Sequence, residues 1–339
     1  MNGWRPRMAA TAALLLLVAA GCSSPPQATP AGSTTAPSAP THDRAVTRGD
    51  ASSRVIVVVE ENHSIGQIIG SPQAPFLNRL AAKGALLTSY FAITHPSLPN
   101  YIAMVSGDTQ GITSDCGGCN VDAPNLVDQF EAAGISWKAY MEGLPAPCSD
   151  AHTAGAYAKK HDPFMYFDSV RGDPGRCAKV VPLDRLDTDL AAGRLPRLVF
   201  VTPNLDHDMH GAGAGADDAT LIATADRWLE GFYGKLAGSS AWRDGTRLVV
   251  TWDEGAGGEK IGCCGGLATG GRVATIVTGP GVGPARDDAT YSHYALLRSI
   301  ETLFHLPLLG HAGDPSTATI VALVWLGLAG GLACRGGAR

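Results

Sequence analysis

The most informative stretch of the chain is Leu86-Leu-Thr-Ser-Tyr-Phe-Ala-Ile-Thr-His-Pro-Ser-Leu-Pro-Asn-Tyr-Ile-Ala-Met-Val-Ser-Gly-Asp108. Its first part, residues 86–93, is apolar or β-prone and predicts a strand. Pro96 ends that strand. A helix is expected to begin near Ser97, because serine is a preferred N-cap and proline is tolerated in a first helical turn. A strand that turns directly into a helix is typical of α/β proteins.

This turn places the Ser97 hydroxyl and the Asn100 amide at the beginning of the predicted helix. Unpaired backbone N–H groups and the positive end of the helix dipole favour an anion there, and phosphate is the natural ligand. The turn therefore suggests a nucleophile for a phosphate ester. The simpler alternative is that Ser97 caps the helix and Asn100 is an ordinary polar residue of its first turn.

Further apolar runs predict central strands, because their β-branched residues suit a sheet that is covered on both faces. They are Arg54–Val59, Arg197–Thr202, Thr246–Trp252 and Arg272–Thr278. Helical patterns fall between them, at Ala74–Lys83, Asn125–Ala133, Asp217–Leu236 and His293–Phe304. This alternation predicts an α/β fold, specifically a three-layer α/β/α sandwich with a mostly parallel central sheet.

Polar side chains follow four of the predicted strands, and ligands of parallel sheets gather at the carboxyl ends of the strands. The oxygen donors available there are Glu61, Asn62, Ser97, Asp253 and Glu254. Hard ligands of this kind predict one divalent metal ion, with Mg, Ca, Mn, Fe and Zn as the candidates.

In such a site, the metal-bound hydroxyl of Ser97 would lose its proton more readily and attack phosphorus. Asn100 and an imidazole, either His207 or His210, are expected to stabilise charge on the phosphoryl oxygens. Polar residues beside a site often only pack or cap a helix, and three neighbours are weaker candidates for this reason: His95, Asp206 and His293.

The beginning of the chain resembles an export signal. Two arginines precede the apolar run Ala9–Ala20, and Val18-Ala-Ala-Gly-Cys22 resembles the bacterial lipobox, so residues 1–22 predict a lipoprotein-type signal peptide. The protein is then expected to be exported, and either lipid-anchored to the outer face of the membrane or secreted. Residues 23–50, rich in Pro, Ser, Thr and Ala, predict a disordered tether. Residues 51–313 are expected to form one catalytic domain.

The tail, residues 314–339, contains the apolar run Ile320-Val-Ala-Leu-Val-Trp-Leu-Gly-Leu328. The uncharged stretch Pro315–Cys334 that contains this run is near the lower limit for a membrane span. A membrane helix, a buried terminal element and a tail altered by a shifted reading frame are all open interpretations.

The net charge of the chain bears on its possible partners, and its cysteines bear on disulfide bonding. A net charge of −5, with no block of lysine or arginine, argues against nucleic acid as a partner. The predicted domain has an even number of cysteines in an exported protein, which favours disulfide bonds whose pairing is open. Cys116-Gly-Gly-Cys119 also permits zinc binding, but no second ligand pair has the spacing of a zinc finger.

Taken in order, five motifs of the chain resemble the bacterial and fungal phosphoesterase family of the alkaline phosphatase superfamily, which includes acid phosphatases and phospholipases C. The motifs are Glu61-Asn-His-Ser64, Thr94-His-Pro-Ser-Leu-Pro-Asn-Tyr101, Pro203-Asn-Leu-Asp-His-Asp208, Thr251-Trp-Asp-Glu-Gly255 and Tyr291-Ser-His-Tyr-Ala-Leu-Leu-Arg-Ser-Ile-Glu301. The resemblance implies a covalent phosphoserine intermediate at Ser97. It also implies that the metal is held by Glu61, Asn62, Asp253 and Glu254.

The expected activity is that of a metal-dependent phosphomonoesterase of the acid phosphatase type, acting on phosphorylated small molecules or phospholipids, phosphoinositides included. Two alternatives remain. One is a phospholipase C that cleaves the phosphodiester of a glycerophospholipid, and the other is a non-catalytic lipoprotein that binds phosphate or metal. The protein is expected to be a monomer that meets the membrane through its lipid anchor and, in one interpretation, a C-terminal helix.

Overall fold

The computed structural model describes residues 53–212, 215–257 and 259–324. The predicted signal peptide and tether lie outside these residues, as does the tail beyond residue 324. The strands are β1 (Arg54–Glu60), β2 (Ala85–Phe91), β3 (Trp137–Met141), β4 (Thr153–Ala154), β5 (Tyr157–Ala158), β6 (Val180–Pro182), β7 (Leu198–Thr202), β8 (Thr246–Trp252), β9 (Arg272–Thr278) and β10 (Ala285–Ser292). The α-helices are α1 (Ile65–Ile68), α2 (Pro75–Lys83), α3 (Ser97–Ser106), α4 (Leu126–Ala132), α5 (Asp168–Arg171), α6 (Pro174–Cys177), α7 (Arg185–Ala191), α8 (Asp218–Ala237), α9 (His293–Phe304) and α10 (Val321–Val324).

Within the described part of the chain, eight strands form one sheet in the order β10-β2-β9-β8-β1-β7-β3-β6. Strand β9 is antiparallel to both of its neighbours, β2 and β8, and the other neighbouring strands are parallel. At the centre, Val57 of β1 lies between Phe200 of β7 and Val249 of β8. The predicted α/β fold with a mostly parallel central sheet is confirmed.

Helices cover the sheet, as the continuous burial of β1, β7 and β8 requires. In one group, α2 packs with α8, and the Asp226 carboxylate of α8 accepts hydrogen bonds from the backbone N–H groups of Phe76 and Leu77 at 2.9 and 2.8 Å. These are orphan donors in the first turn of α2. In the other group, α3 packs with α9 and α4. The nucleophile candidate therefore lies on a helix that is held by α9 and α4.

The cysteines of the domain are paired. The disulfide bonds are Cys116–Cys119, Cys148–Cys177 and Cys263–Cys264. The predicted disulfides are thus present, with a pairing that the sequence left open, and the alternative of a zinc site at Cys116 and Cys119 is not what the structure contains.

The described part of the tail packs against α9. Ile320 and Leu323 are buried, and the Ile320 backbone N–H donates to Ser299 Oγ of α9 at 2.8 Å. No helix among the described residues is long and apolar enough to cross a bilayer. The described segment up to residue 324 therefore packs on the domain.

A buried acid in α9 gives the fold a testable pH dependence. Glu301 is fully buried, its Oε1 accepts a hydrogen bond from the Leu309 backbone N–H at 3.0 Å, and burial raises its pKa to about 8. The unfolded chain ionises this group from its ordinary pKa upward, whereas the folded chain keeps the proton until the higher pKa. The free energy of unfolding therefore falls as pH rises between the two values.

We expect Glu301→Gln to become more stable relative to the wild type as pH rises from about 5 to about 8, because the glutamine has no proton to lose. Thermal unfolding midpoints at both pH values measure this difference. Glu230→Gln, which changes an exposed glutamate, is the matched control. A difference for Glu301→Gln that stays constant over this range would contradict the prediction.

Candidate active site

Four strand ends meet at one edge of the sheet, because the strands concerned run in the same direction. Strand β1 leads into Glu61, β2 into the turn before α3, β7 into the loop from residue 203, and β8 into Asp253. The polar residues that follow these strands are thereby brought to the same edge, as ligand sites of parallel sheets require.

Ser97 is the first residue of α3, and it is almost completely buried. Its Oγ donates a hydrogen bond to Glu61 Oε2 at 3.0 Å. The N-cap position is occupied by Pro96, so the Ser97 hydroxyl does not act as the cap of this helix. The hydroxyl is therefore directed at the acidic residues of the β1 end rather than at its own helix.

A buried group of three possible metal ligands surrounds this hydrogen bond. It consists of Glu61, His161 and Asp208, whose ligand atoms lie within 4.8 Å of one another. His161 Nε2 lies 3.1 Å from Glu61 Oε2, and its Nδ1 lies 3.1 Å from Asp208 Oδ2. Of the two carboxylates, only Glu61 belongs to the ligand set predicted from the sequence.

Within this group, each ionised side chain stabilises the charged form of its neighbour. Burial raises the pKa of Glu61, but the facing His161 and Lys160 outweigh that effect and bring the pKa down to about 2. Burial lowers the pKa of His161, but the charges of Glu61 and Asp208 raise it to about 9. A positive charge is thus strongly favoured between the two carboxylates, whether a proton or a metal ion supplies it.

Asp253 and Asn62 extend the group. Asp253 Oδ1 accepts hydrogen bonds from the backbone N–H groups of Asn62 at 3.1 Å and Glu254 at 2.6 Å. Asp253 Oδ2 and Asn62 Oδ1 are buried and have no hydrogen-bond partner. Burial, with the charges of Glu61 and Glu254, raises the pKa of Asp253 well above its ordinary value, although the hydrogen bond from the Asn62 backbone opposes the shift. Buried oxygens that lack a donor fit a cation.

Glu254 is engaged differently from the other predicted ligands. Its Oε2 lies 3.1 Å from His95 Nδ1, and His95 Nε2 contacts the Glu259 carbonyl oxygen at 2.8 Å. Burial raises the pKa of Glu254 to about 7, although His95 opposes this shift. Glu254 and His95 therefore join the loop after β8 to the Ser97 turn.

The side chain of Asn100 makes four hydrogen bonds to the backbone of the turn, and its Nδ2 also lies 3.5 Å from Glu254 Oε2. Its Oδ1 accepts hydrogen bonds from the N–H groups of Ile93 and Thr94 at 2.9 and 3.0 Å. Its Nδ2 donates to the carbonyl oxygens of Thr94 and Pro96 at 2.8 and 3.0 Å. These contacts fit a residue that positions Ser97, whereas the sequence suggested a contact with phosphoryl oxygens.

The two imidazoles predicted as alternatives lie in different surroundings. The ring of His210 lies 5.8 Å from that of His161, and its Nε2 lies 3.1 Å from Lys160 Nζ. His207 instead contacts Glu142 Oε2 at 3.0 Å and stacks on Trp228. His210 is therefore the imidazole that adjoins the ligand group.

The remaining weaker candidates have structural contacts. Asp206 is exposed, and its backbone N–H donates to Asn204 Oδ1 at 3.0 Å. His293 is fully buried, with Nε2 2.6 Å from the Asp253 carbonyl oxygen and Nδ1 3.1 Å from the Tyr90 hydroxyl. Burial lowers the pKa of His293 to about 4, so the ring is neutral. Its contact with the Asp253 carbonyl oxygen holds the chain in place just after β8.

Three residues at this edge were not chosen from the sequence: His161, Lys160 and Asp208. His161 and Lys160 lie in a short 3-10 helix, Lys159–His161, within the connection between β3 and β6. No predicted strand leads into it, so the rule that locates ligands at strand ends does not apply. Asp208 lies in the Pro203–Asp208 motif, but the sequence favours two histidines of the same loop, His207 and His210, as candidates.

Comparisons with known proteins agree with this architecture. A family model described as the Phosphoesterase family matches residues 71–307. The chain is 36% identical over 266 residues to a phosphatidylinositol-3-phosphatase of Mycobacterium tuberculosis, and the match covers 78% of this chain and 81% of that protein. It is 32% identical over 288 residues to a probable acid phosphatase of Kluyveromyces lactis, covering 81% of this chain but only 63% of the yeast protein.

Among solved structures, a protein of the alkaline phosphatase superfamily from Vibrio parahaemolyticus matches with a TM-score of 0.53 and 17% identity. The match covers 78% of this chain and 70% of that structure. At this level of identity, the likeness supports the fold alone.

Proposed function

The chain belongs to the phosphoesterase family, and from this membership we propose that it is a metal-dependent phosphomonoesterase of the acid phosphatase type, with Ser97 as its nucleophile. The observation that carries the proposal is the buried Ser97 hydroxyl, which lies 3.0 Å from Glu61 Oε2 among acidic residues of several strand ends. A hydroxyl that served only to cap a helix would have no need of this environment.

The residues that would hold the metal are Glu61, His161 and Asp208, with the unpartnered oxygens of Asn62 and Asp253 beside them. Mixed oxygen and nitrogen donors suit several divalent ions, so the donor set does not single out one of them. A bound ion would lower the pKa of a coordinated hydroxyl and attract negative charge on phosphoryl oxygens.

The protein's own groups would perform the following steps. Ser97 Oγ loses its proton and bonds to phosphorus while the ester P–O bond breaks, and the leaving oxygen takes up a proton from solvent to depart as the alcohol; water later cleaves the phosphoserine, which releases phosphate and restores the hydroxyl. The N-terminus of α3 directs its dipole at the developing negative charge. Asn100 keeps Ser97 in place through its contacts with the turn.

The substrates would be phosphate monoesters available outside the cytoplasm, because the sequence predicts export and lipidation at Cys22. Phosphoinositides are a candidate class, which is supported by the name of the mycobacterial relative. A single lipid anchor would bring the site close to a membrane surface that contains such lipids.

The proposal predicts that the purified protein hydrolyses an aryl monophosphate at least about tenfold faster, by kcat/KM, than it hydrolyses phosphatidylcholine. Release of the aryl alcohol and of phosphocholine measures the two reactions. The reverse preference would indicate a phospholipase C. Turnover of neither substrate, with or without added divalent ions, would favour the non-catalytic alternative.

A further inference from the structure

We propose that Lys160 contacts the phosphoryl group during transfer and favours dianionic phosphomonoesters over monoanionic phosphodiesters. This inference rests on the proposed function of the same site. It concerns a residue outside every motif that led to the site, and it assigns the choice between the two ester classes to one side chain.

Lys160 immediately precedes His161 in the chain, and its ammonium contacts His210, whose ring lies 5.8 Å from that of His161. Its Nζ is 3.1 Å from Asp115 Oδ2 and 3.1 Å from His210 Nε2. An ammonium has three N–H donors, and these two contacts use two of them. About one-fifth of the side chain, 21%, is exposed to solvent, so a ligand can reach it.

Asp115 links this ammonium to the nucleophile. Its Oδ1 accepts a hydrogen bond from the Leu98 backbone N–H at 3.0 Å, and Leu98 immediately follows Ser97 in the first turn of α3. One carboxylate therefore contacts both the lysine and the helix end that presents the hydroxyl. Lys160 is held at the same helix end at which negative charge would develop.

The hydrogen bonds of His210 agree with a charged lysine. His210 Nδ1 contacts the Gly211 carbonyl oxygen at 3.1 Å, so this nitrogen carries the proton and Nε2 is free to accept from Lys160. Lysine is ordinarily protonated at neutral pH, and the Asp115 carboxylate, 3.1 Å from Lys160 Nζ, stabilises that charged form. The side chain is therefore a cation.

A fixed cation at this helix end distinguishes phosphomonoesters from phosphodiesters by their charge. A phosphomonoester dianion carries one more negative charge on its non-bridging oxygens than a diester does, and it is attracted correspondingly more strongly. In a diester, the oxygen that bears the second substituent carries no negative charge and therefore gives the lysine no additional attraction. The loss of Lys160 should therefore affect monoesters much more than diesters.

The test compares Lys160→Met with the wild type on an aryl phosphate and a diaryl phosphate that have the same leaving group. We expect kcat/KM for the monoester to fall about 100-fold and that for the diester to fall less than about threefold. The inhibition constant of inorganic phosphate should rise at least about tenfold, and Lys160→Arg should recover part of the lost activity. Equal losses on both esters, or an unchanged monoester rate, would overturn the proposal.

Lys138→Met is the matched control, because Lys138 is also a partly buried lysine paired with a carboxylate, that of Asp189. It should leave the ratio of the two activities unchanged. The double variant Lys160→Met/Asp115→Asn tests whether Lys160 only neutralises Asp115. Recovery of the monoester rate in the double variant would contradict a phosphoryl contact, whereas a persistent loss would support it.

These outcomes are separable from those of the proposed function itself. If Ser97→Ala kept full activity, the proposed nucleophile would be wrong whatever Lys160 does. If Ser97→Ala were inactive while Lys160→Met behaved like the wild type, only the assignment of Lys160 would fail. Thermal unfolding midpoints within about 3 °C of the wild type would show that each variant is folded.

Discussion

Ser97→Ala is expected to lower kcat for an aryl monophosphate by about 10,000-fold or more while the protein stays folded. The variant lacks the oxygen that would bond to phosphorus, and the surrounding acids cannot replace it. In the wild type, the Ser97 hydroxyl makes a hydrogen bond to Glu61 but does not cap α3, so the helix of the variant keeps its backbone contacts. Phosphate release measures the loss, and circular dichroism with thermal unfolding checks the fold.

Ser106→Ala is the matched control for Ser97→Ala. Ser106 is a buried serine at the other end of α3, where its Oγ donates to the Ile102 carbonyl oxygen at 2.9 Å. This variant removes a buried hydroxyl from the same helix without touching the acidic group. Near-normal turnover by Ser97→Ala, or an equal loss in both variants, would contradict the assigned role of Ser97.

Removal of divalent ions by a chelator is expected to lower activity at least about 1000-fold, and addition of the correct ion should restore it. The physical reason is the concentration of buried carboxylates around Ser97, which repel one another and a phosphate anion unless positive charge is supplied. Metal content determined by mass spectrometry, together with the activity of the same sample, tests this. Full activity in demonstrably metal-free protein would exclude metal dependence.

Two variants distinguish the group of possible metal ligands that the structure brings together from the ligand set predicted from the sequence. Asp208→Asn changes a member of the buried group, whereas Glu254→Gln changes a residue that lies 3.1 Å from His95. We expect Asp208→Asn to weaken metal binding at least about tenfold and Glu254→Gln to weaken it less. The opposite order would favour the ligands predicted from the sequence.

The fold could be predicted from the sequence because its central strands are continuous β-branched runs. Val55–Val59 is buried along its whole length, and such a run fits only a sheet with both faces covered. The direction of β9 could not be predicted, because its composition resembles that of the parallel strands. Strand direction depends on how the chain connects, which an apolar run does not encode.

The site could be located from the sequence only where its residues follow predicted strands. Glu61 and Asp253 do so directly, and the Ser97 turn follows β2. His161 reaches the site from a 3-10 helix whose position depends on tertiary packing, including the stacking of its ring on Tyr101. Conversely, the sequence does not distinguish His207 from His210, whereas in the structure the His207 ring packs on Trp228 and the His210 ring lies beside His161.

The hydrogen bonds of Asn100 have a consequence for how binding energy is used. Because one amide fixes the backbone at Ile93, Thr94 and Pro96, the conformational entropy of the turn is lost when the protein folds and not when a substrate binds. A ligand that arrives at Ser97 meets a preorganised surface. The binding free energy of the ligand can then contribute to distorting the ester, because none of it is needed to order the protein.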